Sequence, residues 1–431
     1  MNKKLRKIFI ALTLLIAAFP ILTFGTRSVL TFLWAILGIY LFVNHKNNRL
    51  GKDVLLLIFP FLILCITLFY SKNLNYGISL LVKMVSFLIF PLVFYLNRNS
   101  FSKKLISYVI YTFIFSVLIL IFYQAISVFI NFDTLFQNIT PSEIKSNGFK
   151  SIEEISKTKL DQIKLRRFRN FIIEKSNTHT TYQGLWISFS LFILGLNIKN
   201  FKKNSFKLFA MISIIVLVVW FYLISARMPL MAFLVTISLA VFIFSKLPKK
   251  KKTLLLLSIP LAFSVLLLFK NPISTRVKEY YTNGLSIPHQ KFESDRFNSS
   301  NVRNGVYFCD FQIIKENFFM GVGVGDIQDE LNNCYSNKIG AKVYTWRDYN
   351  SHNQYAFFWI SAGFIGFIGF IGFIVNIFIK SIRTVNIRLF YVICSSSIVF
   401  ISENLLERSD GVVFFFFFIA LLYYNKDLKA T

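Results

Sequence analysis

Long, continuous apolar runs separated by short connections rich in lysine and arginine set the pattern of this chain. A helix crossing a bilayer needs about 20 mainly apolar residues. Twelve stretches meet or approach that length: 8–25, 28–44, 54–71, 77–96, 105–130, 182–198, 208–224, 229–245, 253–269, 354–379, 389–404 and 411–424. None alternates apolar and polar positions as the strands of a membrane barrel do. A helix satisfies its own backbone polar groups in lipid. The pattern predicts an all-α, polytopic membrane protein with about 12 transmembrane helices, forming one integral domain over 1–431.

Lysine and arginine collect on alternate connections. One set holds Lys3, Lys4, Arg6 and Lys7; Lys46, Arg49 and Lys52; Arg98, Lys103 and Lys104; Lys199, Lys202, Lys203 and Lys207; Lys246 and Lys249–Lys252; Lys380, Arg383 and Arg388; and Lys426 and Lys429. The short connections of the other set hold one cation each: Arg27, Lys72, Arg227 and Arg408. Cytoplasmic loops carry the excess of such residues. Both termini are therefore expected in the cytoplasm, with loops 131–181 and 270–353 outside. The basic start followed by Ile8–Phe24 resembles a signal peptide and is read as a retained first helix.

Composition agrees. The chain is 55% hydrophobic, 18% aromatic and only 16% charged, with 52 Phe. Its mean hydropathy is +0.58. A soluble domain of this length needs more surface charge. The formal net charge of +28 would suggest nucleic acid in a soluble protein. Here it holds loops inside and meets anionic lipid, so nucleic acid is excluded as a partner.

The longest polar interval, Lys270–Asn353, is where chemistry is expected. Val302, Val306, Cys309 and Ile313 recur at helical spacing, with Arg303 near the start of that helix. Gly321-Val322-Gly323-Val324-Gly325 lacks the strand and helix context of a nucleotide fold and reads as a flexible turn with close backbone approach. Cys309 and Cys334 share the interval, and an oxidising compartment would allow them to pair. His352 stands just before an apolar run, where a neutral imidazole can take a proton from a hydroxyl. No spacing suggests a metal site.

Other features carry two readings. Arg227, in the turn Ser225–Pro229, is either an interfacial cation reaching headgroups or a guanidinium whose fork fits phosphate oxygens. Lys83, inside the fourth run, is a functional candidate or a snorkelling cation. Glu403, Glu407, Arg408 and Asp410 either pair among themselves or shape a substrate mouth. The Lys159–Arg169 run reads as a solvated or interfacial helix, Phe414–Phe418 as lipid-facing bulk, and the Gly363, Gly366, Gly369, Gly372 series as a close-packing face.

Taken in order, these residues resemble the O-antigen ligase and polymerase superfamily of bacterial inner membranes. The resemblance rests on Ser225-Ala226-Arg227 between two spans and Arg303 before an amphipathic stretch. It continues through Glu316-Asn317-Phe318-Phe319-Met320-Gly321-Val322-Gly323, His352-Asn353 and Ala362-Gly363-Phe364-Ile365-Gly366. The family's Asn-Pro-x-x-Gly-x-Gly appears with Phe318 for proline, and its Ser-Arg-Gly turn as Ser-Ala-Arg-Met-Pro. The specific part covers about 225–370.

The resemblance implies a membrane glycosyltransferase fold with short helices in a large periplasmic loop. It implies a metal-independent, inverting transfer without cofactor, in the inner membrane with the site facing the periplasm. The donor would be a glycan on undecaprenyl pyrophosphate and the acceptor lipid A–core. Carried over, Arg227 and Arg303 hold the pyrophosphate, and His352 acts on the acceptor hydroxyl. Arg296, Lys83 and His179 are further candidates. Polymerisation of lipid-linked repeats, protein glycosylation and lipid-glycan transport remain open alternatives.

The charge asymmetry makes a direct prediction. In a cysteine-free background, an impermeant thiol reagent added outside should label Ser286→Cys and Asn332→Cys but not Lys250→Cys. Outside labelling of Lys250→Cys alone would reverse the map.

Overall fold

The computed structural model describes residues 3–43, 51–146, 151–155, 157–254, 286–290 and 299–424, together with Phe149 and Phe297. The expected span 253–269 lies outside the described residues except for its first two positions. The described residues contain helices and no strand. Helices of eight or more residues are numbered α1 Lys3–Ala17, α2 Phe24–Val43, α3 Lys52–Tyr70, α4 Leu74–Leu96, α5 Lys103–Ile130, α6 Lys157–Ser176 and α7 Thr180–Asn200. There follow α8 Asn204–Leu223, α9 Arg227–Phe244, α10 Ser299–Glu316, α11 Ile327–Cys334, α12 Gln354–Arg383, α13 Ile387–Val399 and α14 Ser409–Tyr423.

Eight of the described helices are long and apolar enough to cross a membrane: α2, α3, α4, α5, α7, α8, α9 and α12. The expected first, eleventh and twelfth spans meet helices of 15, 13 and 15 residues, α1, α13 and α14. Polar side chains fix where several helices start, by accepting otherwise unpaired backbone N–H groups. Asn73 accepts from Tyr76 N, Ser102 from Leu105 N and Asn386 from Leu389 N.

The outer helices keep apolar side chains exposed, among them Phe32, Phe122, Phe129 and Ile215, as lipid contact requires. The centre is α14. Phe414–Phe418 are all buried, which corrects the expectation of a lipid-facing run. Phe416 packs against Phe87 of α4 with ring centroids 3.8 Å apart, Phe418 edge-on against Phe113 of α5 at 4.9 Å, and Phe415 against Phe400 at 5.4 Å. Lipid and protein interior are equally apolar, so hydropathy does not separate them.

α12 is broken at Gly363, where φ is 63° and ψ is −161°. Carbonyls freed by the break are met by the glycine-rich segment. Val322 N donates to Ile360 O (2.8 Å), Gly323 N to Ser361 O (3.0 Å), and Phe364 N to Phe318 O (2.8 Å). The other edge of the segment is held by the end of α3. Val324 N donates to Thr67 Oγ1 (3.1 Å), Gly325 N to Ser71 Oγ (3.0 Å), and Tyr70 OH to Met320 O (2.6 Å). Asp326 then accepts from the backbone N–H of Lys72 and of Asn73. Close backbone approach is as expected; the flexible turn is instead a fixed strap. Of the glycine series in α12, Gly369 packs on Phe59 and Ile63 of α3, whereas Gly372 faces open space.

A Cβ at Gly321 would lie 2.5 Å from Ile360 O and sit on a backbone with φ +71°. Gly321→Val should therefore cost on the order of 3 kcal/mol or more. It should lower the thermal unfolding temperature in detergent, while Gly372→Val leaves it unchanged. Equal behaviour of the two variants would remove the strap as a structural requirement.

Candidate functional site

The residues before α12 form a polar ledge against the connection between α13 and α14. Gln354 N donates to Phe400 O (2.8 Å), and Leu406 N donates back to Gln354 Oε1 (2.8 Å). Asn353 caps α12, accepting from Tyr355 N (2.9 Å) and Ala356 N (3.1 Å). Asn404 Nδ2 donates to Ser351 Oγ (2.8 Å) and to Glu407 Oε1 (2.6 Å), and Asn350 Nδ2 donates to Glu407 Oε2 (2.5 Å). His352 lies within this net with a left-handed φ of 46°. That conformation is unusual for a side chain other than Asn, Asp or His, and bonds on both sides of it in sequence maintain it.

Glu403 is the centre of the site. Arg303 Nη2 of α10 lies 3.5 Å from Glu403 Oε1, and His352 Nδ1 lies 3.7 Å from Glu403 Oε2. Burial pushes the Glu403 carboxyl up, but His352, Arg303 and His179 outweigh burial and hold it below the usual range. His179 caps α7: its Nδ1 accepts from Thr181 N (3.3 Å). Burial pushes His179 down to about 4, against the pull of Glu403 and with the repulsion of Arg169, Arg408 and Arg303. This imidazole is therefore neutral at physiological pH. Arg169, from α6, donates to Thr180 Oγ1 at the same helix start (2.8 Å).

α6 is thus more than a solvated helix. Ile163, Phe168 and Ile172 are buried, and Arg167 binds Glu143 through Nε (3.1 Å) and Nη2 (2.6 Å) while Nη1 reaches three carbonyls of 134–137. On α10, Val302, Val306, Cys309 and Ile313 are buried, as their spacing predicts. A disulfide joins Cys309 to Cys334 at the end of α11. Beside it, Asp310 is buried with neither carboxyl oxygen hydrogen-bonded, and burial raises its carboxyl well above the usual value.

Of the residues singled out from sequence, Arg303, His352 and His179 come together around Glu403. Arg227 opens α9, and its neighbours Ala226 and Pro229 pack on Gly184 in the second turn of α7. That contact sets Arg227 beside the helix that His179 caps. Lys83 is exposed on α4. Arg296 lies outside the described residues. Among the described residues, no three His, Cys, Asp or Glu side chains are placed to hold a metal ion.

Sequence reasoning missed the roles of Glu403, Asn350, Asn404 and Arg169. It left Glu403, Glu407, Arg408 and Asp410 either to pair among themselves or to shape a substrate mouth; the carboxylates do not pair within the group. Asp410 pairs with Arg27 of α2, Glu407 with the two asparagines, and Glu403 with Arg303 and His352. A usable signal was present: with 20 acidic against 48 basic residues, three acids at the end of one apolar run call for basic partners from other elements.

A family model for O-antigen ligase matches residues 212–371. The match takes in Arg227, Arg303 and His352 and excludes His179 and Glu403. No curated protein matches the chain.

Burial pushes Glu407 up to about 7, against the two asparagine donors and Arg408, with Glu403 adding to the rise. A carboxyl raised on folding contributes stability in full below its unfolded value of about 4.5. That contribution is lost as pH rises through about 7. Thermal stability should therefore decline between pH 5 and about 8, and Glu407→Gln should flatten that slope. An unchanged slope in the Gln variant would place the titration elsewhere.

Proposed function

We propose that this chain, a member of the O-antigen ligase superfamily over residues 212–371, is a membrane glycosyltransferase. It moves a glycan from undecaprenyl pyrophosphate to lipid A–core at the periplasmic face of the inner membrane. The observation that carries the reading is the meeting of Arg303 and His352, from separate elements, on the one carboxylate of Glu403. The disulfide between Cys309 and Cys334 supports an oxidising, extracytoplasmic setting for this side.

The chemistry follows from the groups present. The acceptor hydroxyl attacks the anomeric carbon as the bond from that carbon to the pyrophosphate oxygen breaks. The electron pair leaves with undecaprenyl pyrophosphate, and a single displacement inverts the anomeric centre. Arg303 and Arg227 offset the charge of the leaving group, with Arg169 adding positive charge beside His179. Guanidinium forks fit phosphate oxygens two at a time. His352 takes the acceptor proton.

Polymerisation of lipid-linked repeats uses the same donor and differs only in acceptor. A transporter would line the middle of its spans with ionisable groups. Here Arg227, His179, His352, Glu403 and Asp410 all stand at helix ends or in the connections between them, which favours the enzyme.

Reconstitution in vesicles with lipid-linked glycan and lipid A–core tests this. Glycan joined to core is expected; longer lipid-linked glycan would make it a polymerase, and unconsumed donor would remove the reading. Arg303→Lys and Arg227→Lys should lose most activity despite keeping charge, because an ammonium lacks the planar fork. His352→Ala should slow single-turnover transfer by about 10²–10⁴ with donor binding little changed. Near-normal transfer by folded His352→Ala would leave it a surface histidine preceding a helix.

A further inference from the structure

We propose that Glu403 is a shared carboxylate that passes from Arg303 to His352 when the lipid pyrophosphate arrives, so that donor binding readies the base; this rests on the glycosyl-transfer reading above.

The geometry points to a group held between two partners. Charge-assisted hydrogen bonds run at about 2.7–2.9 Å. Glu403 stands 3.5 Å from Arg303 and 3.7 Å from His352, so it completes a short bond with neither. His352 Nδ1 is buried and has no hydrogen-bond partner. A buried ring nitrogen without a hydrogen bond is costly, and Glu403 Oε2 lies 3.7 Å from it. The backbone around Glu403 is fixed: Glu403 N donates to Val399 O (3.1 Å) and Asn404 is bonded to Ser351 and Glu407. Movement is thus confined to the carboxylate arm.

The two partners differ in access. The Arg303 side chain is 36% exposed and the His352 side chain 23%. An anion reaches the arginine from outside without displacing the carboxylate from the protein. Once Arg303 faces a pyrophosphate, the like charge of Glu403 is repelled, and His352 is the remaining cation-capable partner. The other charged or titratable groups that act on Glu403, or that it acts on, are His179 and Tyr182 from α7 and Glu407 from its own connection. Glu407 repels the carboxylate, and His179 acts on it less than His352 or Arg303 does.

In the resulting arrangement Glu403 accepts from His352 Nδ1–H. That fixes the tautomer in which Nε2 carries the lone pair, the orienting role a carboxylate plays behind a histidine base. The acceptor O–H proton goes to Nε2 as the new glycosidic bond forms and the bond to pyrophosphate breaks. The imidazolium is stabilised by Glu403, and its proton passes to water as the products leave. Before donor binds, Arg303 draws the carboxylate away, and His352 lacks that orienting partner.

Glu403→Gln and Glu403→Asp in the full-length protein in vesicles test this with two readouts. Glu403→Gln should bind undecaprenyl pyrophosphate as tightly as wild type or more so, since a negative charge beside Arg303 is gone. Its single-turnover transfer should nevertheless fall by about 10², and Glu403→Asp should recover part of that loss. Wild-type transfer by the Gln variant, or donor binding that falls in step with rate, would overturn the proposal. The gate itself is read without transfer. Diethyl pyrocarbonate acylates unprotonated imidazole, and its rate at His352 is followed by mass spectrometry. Inorganic pyrophosphate should slow that rate in wild type and leave Glu403→Gln nearly unaffected. Equal slowing in both, or none in wild type, removes the gate. A wild-type protein that transfers no glycan refutes the broader reading, whereas one that transfers without Glu403-dependent slowing refutes the gate alone.

Discussion

Where α12 breaks at Gly363, backbone carbonyls lose their helical partners at the depth of an apolar bundle. Each such group costs several kcal/mol if left unpaired away from water. The strap Phe318–Gly325 meets this demand by pairing with Ile360, Ser361 and Phe364, and α3 seals its other edge through Thr67 and Ser71. Two glycines at the crossing, Gly321 and Gly363, have no room for a side chain. The rest of the site depends on this pairing. It ties the end of α10, and hence Arg303, to the same helix that begins two residues after His352.

The second constraint is electrostatic. In a strongly basic chain, a buried carboxylate draws cations from every element that reaches it, and Glu403 draws Arg303 and His352. Taking a carboxylate out of water costs several kcal/mol unless charge and hydrogen bonds return it. Glu407 shows the alternative: burial pushes it up to about 7, against two neutral amide donors that offset only part of the rise. Carboxyls four residues apart thus differ in charge state because one faces a guanidinium and an imidazole and the other faces asparagines. His179 is pushed the opposite way by burial and by Arg169, Arg408 and Arg303, which leaves it neutral as a helix cap.

Much of this was legible in the sequence. Continuous apolar runs mark the spans because a membrane helix has one solution to backbone pairing. The buried face of α10 follows from a period of about 3.6 residues. Arg227 stands out as the single cation of its short connection, and Arg303 and His352 through the family resemblance. What was not legible depends on long-range neighbours. Phe414–Phe418 read as lipid-facing, since hydropathy is blind to which apolar medium a ring enters. The strap read as flexible, since glycine spacing does not reveal that its N–H groups complete a broken helix. Lys83 drew attention by its position in a span, and the side chain is exposed. Arg169 was hidden in a basic run whose neighbours, Ile163, Phe168 and Ile172, decide which way it faces.

The central claim is that Arg303 and His352 flank one reaction centre across Glu403. A structure of the full-length protein in lipid with undecaprenyl pyrophosphate bound tests it most directly. The account expects phosphate oxygens within hydrogen-bond distance of Arg303, with Glu403 turned onto His352 Nδ1 and His352 Nε2 facing the space beside the phosphate. A pyrophosphate seated away from Arg303, or a His352 ring turned away from it with Glu403 still on Arg303, would contradict the account.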